Sequence, residues 1–543
     1  MSQPAFAFSW GNPYPRARSP VFARNLVATS HPLAVSAGLR VLAQGGNAVD
    51  AAVAAAAAIT LVEPCSNGLG SDLFALVWHG GRLHGLNASG TAPAGWSQPY
   101  FVRRYGLDCA HTRPERGWDT VTVPGAVAGW AQLQRRFGRL ELAQALGPAI
   151  ELAERGFAVS PITQEKWHKG AALLAGQPGF AQHFLPRGRA PEVGEHVVIP
   201  GAARALRSIA STQGESFYRG EIAEAISGFA REGGGALAAS DLAGYAPIWV
   251  DPLATGFHGC ELHQIPPNGQ GIAALICLGI LRHTQMPSYR VDSADWYHVA
   301  IEAMKAAFAD VYAHVADPGS MRLDPRILLD DGYLHDRARR IDMGRAQSWT
   351  SAAAPRGGTI YLSTADEQGT MVSLIQSNFM GFGSGIVVPG WGISLQNRGV
   401  GFSLDPEHPN CVAPGKRPFH TIIPAFLTRA GAPQMSFGVM GGNMQPQGQV
   451  QTLCRMLLAG QQPQAACDAP RWKWTQGLEL EVEPEMDPAA RQELARRGHR
   501  IVAAQDAYMD FGSGQFIWRL GSPDREGYVA ASDARRDGQA AGF

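Results

Sequence analysis

The chain is 543 residues long, carries 46 basic and 46 acidic side chains for a formal net charge of +0, and is 45% hydrophobic. That length exceeds the usual single domain and the apolar share is ample for a large core, so a disordered chain is excluded. No basic run marks a nucleic-acid or anionic-membrane partner, which leaves small molecules as the expected partners.

From the N-terminus, residues 1–30 mix Pro13, Pro15, Arg16, Arg18, Pro20 and Arg24 with scattered aromatics and lack the apolar centre of a signal peptide. Export is not encoded there, and a cytoplasmic protein is expected. Residues 33–61, 142–155, 222–231, 294–316 and 333–340 carry helix formers with apolar residues three and four apart, the pattern of helices. The alanine-rich run 48–62 contains Asp50 and Thr60 and falls short of the ~20 apolar residues that span a bilayer, so it predicts a buried helix. Seven cysteines, Cys65, Cys109, Cys260, Cys277, Cys411, Cys454 and Cys467, are widely spaced with no Cys-x-x-Cys pair, as free thiols in a reducing compartment would be.

The stretch 352–358, with Pro355, Arg356, Gly357 and Gly358, reads as a processing linker between a helix-rich piece, residues 1–358, and a strand-rich piece, residues 359–543. Beyond it the apolar period shortens. The run from Thr359 to Ser377 reads as two strands joined at Asp366, Glu367, Gln368 and Gly369. Further strand-like runs occupy 392–395, 422–427 and 435–439, the last two joined at 429–433, and residues 450–458 read as a helix. Thr359 sits at the first position of its hairpin, behind two glycines. Cleavage before Thr359 would expose a new α-amine, which titrates near ~8 and can take the proton of the hydroxyl on the same residue. One residue would then supply nucleophile and base.

The motifs on either side give this threonine a context. Upstream come Gln44-Gly45-Gly46-Asn47-Ala48-Val49-Asp50, Val62-Glu63-Pro64 with Asn67-Gly68-Leu69-Gly70, Val123-Pro124-Gly125 through Trp130, Pro266 through Gly271, and Glu302 through Asp310. Downstream come Gly381 through Gly385, Gln396-Asn397-Arg398-Gly399, Pro414 through Thr421, and Gly441-Gly442-Asn443. In this order they resemble the γ-glutamyltranspeptidase family over nearly the whole chain. The resemblance implies an N-terminal nucleophile hydrolase: an α+β protein, built as an αββα sandwich, whose precursor cuts itself before Thr359. The two pieces then stay together as one domain, and association of two such heterodimers is a further expectation. Ser377 matches the family's hydroxyl that hydrogen-bonds the nucleophile. Gly441 and Gly442 precede a helical run, where unpaired N–H groups collect, and this suits an oxyanion hole.

Substrate recognition departs from the family's pattern. Ser89 stands where an arginine would hold the α-carboxylate of a glutamyl group, His420 and Thr421 align with the serine pair that also contacts it, and Gly401 aligns with the acidic partner of the α-ammonium. Charged hydrogen bonds are worth roughly 1.5–3 kcal/mol each, so γ-glutamyl binding loses strong contacts. Arg398, beside Asn397, is instead a cation in the segment that faces the substrate, and His420 is a nearby donor expected to titrate near neutrality. With Thr421, Ser89 and Asn397 they form the expected substrate site for a small amide that bears a carboxylate and lacks an α-ammonium. On this reading Arg398→Ala weakens substrate binding and leaves maturation intact. The connection 402–416 is short, which implies that the family's lid loop is missing and the pocket more open. Through 396–399, 402–404 and 418–421 the pattern resembles the bacterial branch that includes oxamate amidohydrolase.

The sixteen histidines contain no His-Glu-x-x-His and no pair spaced with cysteines as zinc ligands would be, and Gly381 to Gly385 lacks the lysine of a phosphate loop. No metal and no cofactor is expected. Three functional readings follow: an autoprocessed amidohydrolase of a small acyl amide, a true γ-glutamyl hydrolase or transferase with a remodelled pocket, and an unprocessed binding or structural module. The intact set of Thr359, Ser377, Gly441 and Gly442 argues against the third.

Overall fold

The computed structural model describes residue 9 and residues 12–15, 18–349, 358–504 and 511–543. Apart from Gly358, the processing linker expected at 352–358 lies outside the described residues.

Side-chain alternation along the strands sets the architecture. In the strand Gly358–Ala365, Ile360 and Leu362 join one apolar cluster while Tyr361 and Ala365 join another; in the strand Met371–Phe379, Val372 and Leu374 go one way and Met371 and Ile375 the other. A period of two sends alternate residues to opposite faces, so a strand apolar on both faces must be covered on both. The cover on one face is helical: Pro32–Ala43, Ala48–Val62, Ala126–Phe137 and Leu142–Arg155 contribute to the first cluster. The other face meets a second sheet through Phe74, Tyr361, Ile375, Phe426, Met440 and Ile517. That second sheet turns Leu427, Phe516, Trp518 and Val529 outward onto the helices Ile272–Arg282, Ala294–His314 and Met444–Ala459. Each fully buried apolar side chain of this size stabilises by about 1.5–3 kcal/mol. The result is the αββα order that the family resemblance implied.

Both sheets have seven strands among the described residues, and both draw strands from either side of Thr359. One runs Gln539–Gly542, Leu26–Thr29, Gly358–Ala365, Met371–Phe379, Asp72–His79, Arg82–Ala88, Ile248–Val250. The other runs Val21–Ala23, Tyr528–Ser532, Gly514–Arg519, Ala432–Val439, Ala425–Arg429, Cys260–Gln264, Leu253–Phe257. The first 358 residues thus supply strands as well as helices, which the helical periods of that part did not disclose.

The helix expected over 33–61 is two helices, broken where Gly45 takes φ +92°. Asn47 caps the second, its Oδ1 accepting from the N–H groups of Val49 (2.9 Å) and Asp50 (3.1 Å) while Asp50 accepts from the Asn47 N–H (2.7 Å). Every residue of Ala48–Val62 is buried, as the alanine run predicts, and no helix of the described residues is long and apolar enough to cross a membrane. All seven cysteines are free.

Candidate active site

Gly358 and Thr359 open a strand in the middle of its sheet, flanked by Leu26–Thr29 and Met371–Phe379. The register with Met371–Phe379 shifts between Gly358 and Ile360, a bulge of the kind that re-aims a side chain. Thr359 is 3% exposed, and its Oγ1 lies 2.7 Å from the carbonyl oxygen of Gly358, the residue before it. Ser377 Oγ donates to the same oxygen at 2.7 Å and stands 3.5 Å from Thr359 Oγ1. Ser377 in turn accepts from the Phe379 N–H (2.7 Å) and from Arg398 Nη2 (3.2 Å). Two hydroxyls therefore converge on one peptide carbonyl. Gln445 adds an amide Nε2 at 3.4 Å from Thr359 Oγ1, while its Oε1 accepts from the Ile423 N–H at 2.9 Å.

Gly441 and Gly442 form the turn between the strand Ala432–Val439 and the helix Met444–Ala459, with φ +110° and +58°. Those angles favour glycine, and a Cβ on Gly441 would meet the Cα of Gly512 at 3.0 Å. The carbonyls of the pair accept from the N–H groups of Met444 and Gln445. Neither glycine N–H donates to any described residue, so both remain available at a helix entrance.

Arg398 is fully buried, and its guanidinium donates from Nη1 to Thr421 Oγ1 (2.8 Å) and from Nη2 to Ser377 Oγ, with the ring of Phe379 4.4 Å below it. The cation expected to meet a substrate thus also touches the hydroxyl beside Thr359. Burial lowers its pKa to about 9, with Asp72 pulling the other way, so it is charged at neutral pH. Thr421 is 2% exposed and its carbonyl accepts from Gln270 Nε2 at 2.6 Å. His420 corrects the sequence reading. Its Nε2 lies 3.0 Å from Asp72 Oδ2 and its Nδ1 accepts from the Ile422 N–H, and burial followed by Arg398 drives its pKa well below the ordinary histidine value. It is a neutral donor to Asp72 and does not titrate near neutrality, because protonation would place a second cation beside Arg398 away from water.

The remaining two expected substrate residues hold the frame. Asn397 accepts from the Met380 N–H (3.1 Å) and donates to the Glu115 carbonyl (2.9 Å), which uses both ends of its amide. Ser89 Oγ donates to Asn87 Oδ1 (2.7 Å) and accepts from Asn268 Nδ2 (3.2 Å). The guanidinium at Ser89 comes from Arg417, whose Nε donates to the Ser89 carbonyl at 3.2 Å. The connection 402–416 folds back on itself, with Lys416 Nζ donating to the carbonyls of Pro409 (2.5 Å) and Cys411 (2.8 Å).

Asp72 and Gln445 are the site residues that the sequence reading missed. Gln445 follows the two glycines by three positions and a helix-entry side chain facing the turn could have been foreseen; Asp72 lies in an apolar strand and carries no local signal. Spacing also gave no hint that His298, Glu302 and His499 would gather with ligand atoms within 4.8 Å of one another. That cluster already contains a cation, since Lys305 Nζ lies 2.8 Å from Glu302 Oε1, and its histidines hydrogen-bond each other at 2.8 Å.

A profile of the Gamma-glutamyltranspeptidase family matches residues 34–543. The chain belongs to the γ-glutamyltranspeptidase family. Within it, the chain is 35% identical over 536 residues to a glutathione hydrolase-like proenzyme of Bacillus subtilis, covering 97% of this chain and all of that one. It is 36% identical over 541 residues to the oxamate amidohydrolase proenzyme of Klebsiella pneumoniae, covering 97% and 99%. The crystal structure of a cephalosporin acylase from Bacillus halodurans superposes with a TM-score of 0.92 at 47% identity, covering 98% of each chain.

Proposed function

We propose that this family member is an autoprocessing N-terminal threonine amidohydrolase, a precursor that cuts itself between Gly358 and Thr359 and then hydrolyses a small amide. The observation that carries the reading is the convergence of Thr359 Oγ1 and Ser377 Oγ on the Gly358 carbonyl oxygen, each at 2.7 Å. In maturation the Thr359 oxygen attacks the Gly358 carbonyl carbon, Ser377 donates to the developing oxyanion, and the Gly358–Thr359 C–N bond breaks as the hydroxyl proton passes to the Thr359 nitrogen, leaving an ester and an amine. Water opens the ester, giving a carboxylate on Gly358 and a free amine on Thr359. In turnover that amine takes the Thr359 hydroxyl proton as the oxygen adds to the substrate carbonyl, and the Gly441 and Gly442 N–H groups receive the oxyanion. The amine then protonates the departing amine, and water releases the acyl group from Thr359.

For the substrate, Arg398 and Thr421 form the anion-binding floor, with His420, Asn397 and Ser89 holding its walls. A small amide with a carboxylate suits the buried Arg398 guanidinium, while Gly401 stands where the family's acidic partner of an α-ammonium would be and the Asp72 carboxylate is already engaged by His420 and Arg398. The relatives named as an oxamate amidohydrolase and a glutathione hydrolase-like proenzyme support the reaction class, and seven free thiols support a reducing compartment. Intact-mass spectrometry of wild type beside Thr359→Ala tests the core of this reading. Two fragments split before Thr359 in the wild type alone are expected; processing in the variant would show that another group attacks. Turnover of oxamate-like or des-amino amides against γ-glutamyl-p-nitroanilide then separates this substrate class from a γ-glutamyl hydrolase or transferase.

A further inference from the structure

Asp72 begins the strand Asp72–His79 and pairs in register with Ser377 on the neighbouring strand. It is fully buried. Its Oδ1 accepts from the Gly90 N–H at 3.0 Å, its Oδ2 accepts from His420 Nε2 at 3.0 Å, and Arg398 Nε lies 3.9 Å from the same Oδ2 with both side chains shut away from solvent. Arg398 Nε makes no hydrogen bond to any described residue, and the Asp72 carboxylate faces that edge of the guanidinium. A buried cation with no counter-charge is strongly disfavoured, and Asp72 is the acidic group that Arg398 feels.

We propose that Asp72 is a positioning residue of this centre, its carboxylate holding the Arg398 guanidinium against Ser377 and thereby aiming the hydroxyl that meets the Gly358 carbonyl. The proposal rests on the reading of Thr359 as the nucleophile. Asp72 touches neither Thr359 nor the peptide bond; it acts through two links, Asp72 to Arg398 and Arg398 to Ser377. The groups that face it are Arg398, His420 and Arg417, together with Tyr218 and Tyr245, whose hydroxyls donate to the Pro124 and Ser89 carbonyls. Burial keeps both tyrosines neutral and His420 uncharged through the neutral range. Burial also raises the Asp72 carboxyl to about 7, against the pull of Arg398 and of the Gly90 N–H. Beside Arg398, His420, Tyr218 and Tyr245, Asp72 alone changes charge near neutrality, and its protonation leaves Arg398 unpaired. In the uncut chain the Thr359 nitrogen is still an amide, so maturation is free of the amine titration that enters turnover.

The test follows self-cleavage of freshly translated full-length chain across the neutral pH range, in wild type, Asp72→Asn and Asp72→Glu. Wild-type cleavage is expected to slow on acidification with a midpoint near 7. Asp72→Asn is expected to cut at least about tenfold more slowly at slightly alkaline pH and to lose that acid limb, and Asp72→Glu to recover part of the rate with the limb restored. A folded Asp72→Asn chain that cuts within about twofold of wild type and keeps the limb would overturn the proposal. If Asp72→Asn does not fold, a folded Asp72→Glu or Arg398→Lys chain that cuts within about twofold of wild type at every pH overturns it equally. A wild type that never cuts overturns the reading of Thr359 and this proposal with it, whereas a cutting wild type with either negative result overturns this proposal alone.

Discussion

At the residue scale, the centre is a chain of contacts in which each group is set by the next. Thr359 meets the Gly358 carbonyl, Ser377 donates to that carbonyl, and Arg398 donates to Ser377. Removing one preorganised oxyanion donor typically costs about 10²–10³ in rate. Ser377→Ala is therefore expected to slow fragment formation by about that factor, as followed by mass spectrometry over time. Arg398→Ala is expected to slow maturation as well as turnover, although the sequence placed this arginine on the substrate alone. Maturation at the wild-type rate in Arg398→Ala would mean that Ser377 is held in place by its Phe379 N–H contact without help from the guanidinium.

At the element scale, the decisive piece is the turn from the strand Ala432–Val439 into the helix Met444–Ala459. Gly441 takes φ +110° there and lies against Gly512, itself at φ +69°. Gly512 is held from behind: Arg471 Nη1 donates to the Phe511 carbonyl at 2.9 Å, and Arg471 Nη2 pairs with Asp533 at 2.7 Å. A Cβ at Gly441 would strain the backbone and press on Gly512, so Gly441→Ala is expected to lower the urea midpoint and, on the fraction that folds, to lower turnover by about tenfold or more. The comparison of kcat with the urea midpoint checks it, since a purely structural glycine would move the midpoint and leave kcat on the folded fraction intact.

At the scale of the whole molecule, both sheets interleave strands from the two sides of the Gly358–Thr359 bond. Cutting that bond detaches only the Gly358–Phe379 pair at the end of its strand and leaves the pairings from Ile360 to Ala365 in place, so the two fragments are expected to co-elute in native size exclusion and to separate only in denaturant. Buried titratable groups set the pH range of stability. His183 is pushed down to about 4 and His499 to about 2, each mainly by burial. The unfolded chain takes up these protons near 6.5 and the folded one does not, so acidification destabilises by up to about 1.4 kcal/mol per pH unit per histidine until the folded value is reached. Asp72 and Asp468, raised to about 7 and 6 by burial, act in the opposite sense, because the folded protein binds their protons first; their contribution grows from neutrality down to the unfolded value near ~4 and then stops. Asp533 and Glu483, held low by Arg471 and Arg535, lose their contribution as pH falls below the unfolded carboxylate range. His31, His263, His298 and His420 are lowered by burial as well, and with His183 and His499 they outnumber the raised carboxyls Asp72, Asp310, Asp366 and Asp468, so the urea midpoint is expected to fall as pH drops from 7 to 5 and to fall further under pH 4. A midpoint that rises from pH 7 to 5 would show that the raised carboxyls outweigh the histidines.

The sequence by itself determined the hairpin that begins at Thr359 and the glycine pair before the Met444–Ala459 helix, because apolar periods and turn residues carry them within a few positions. Its ordered motifs pointed to the family, and the αββα order followed only from that resemblance. The sequence also placed Arg398 and Thr421 beside the centre, through their motif context. Only the tertiary structure decided that His420 is a neutral donor, that Asn397 and Ser89 are spent on the frame, and that Asp72 faces Arg398. Those properties depend on desolvation and on contacts between residues as far apart as 72 and 420, and the free energy of a buried charge is set by what surrounds it in space, which no window of sequence contains.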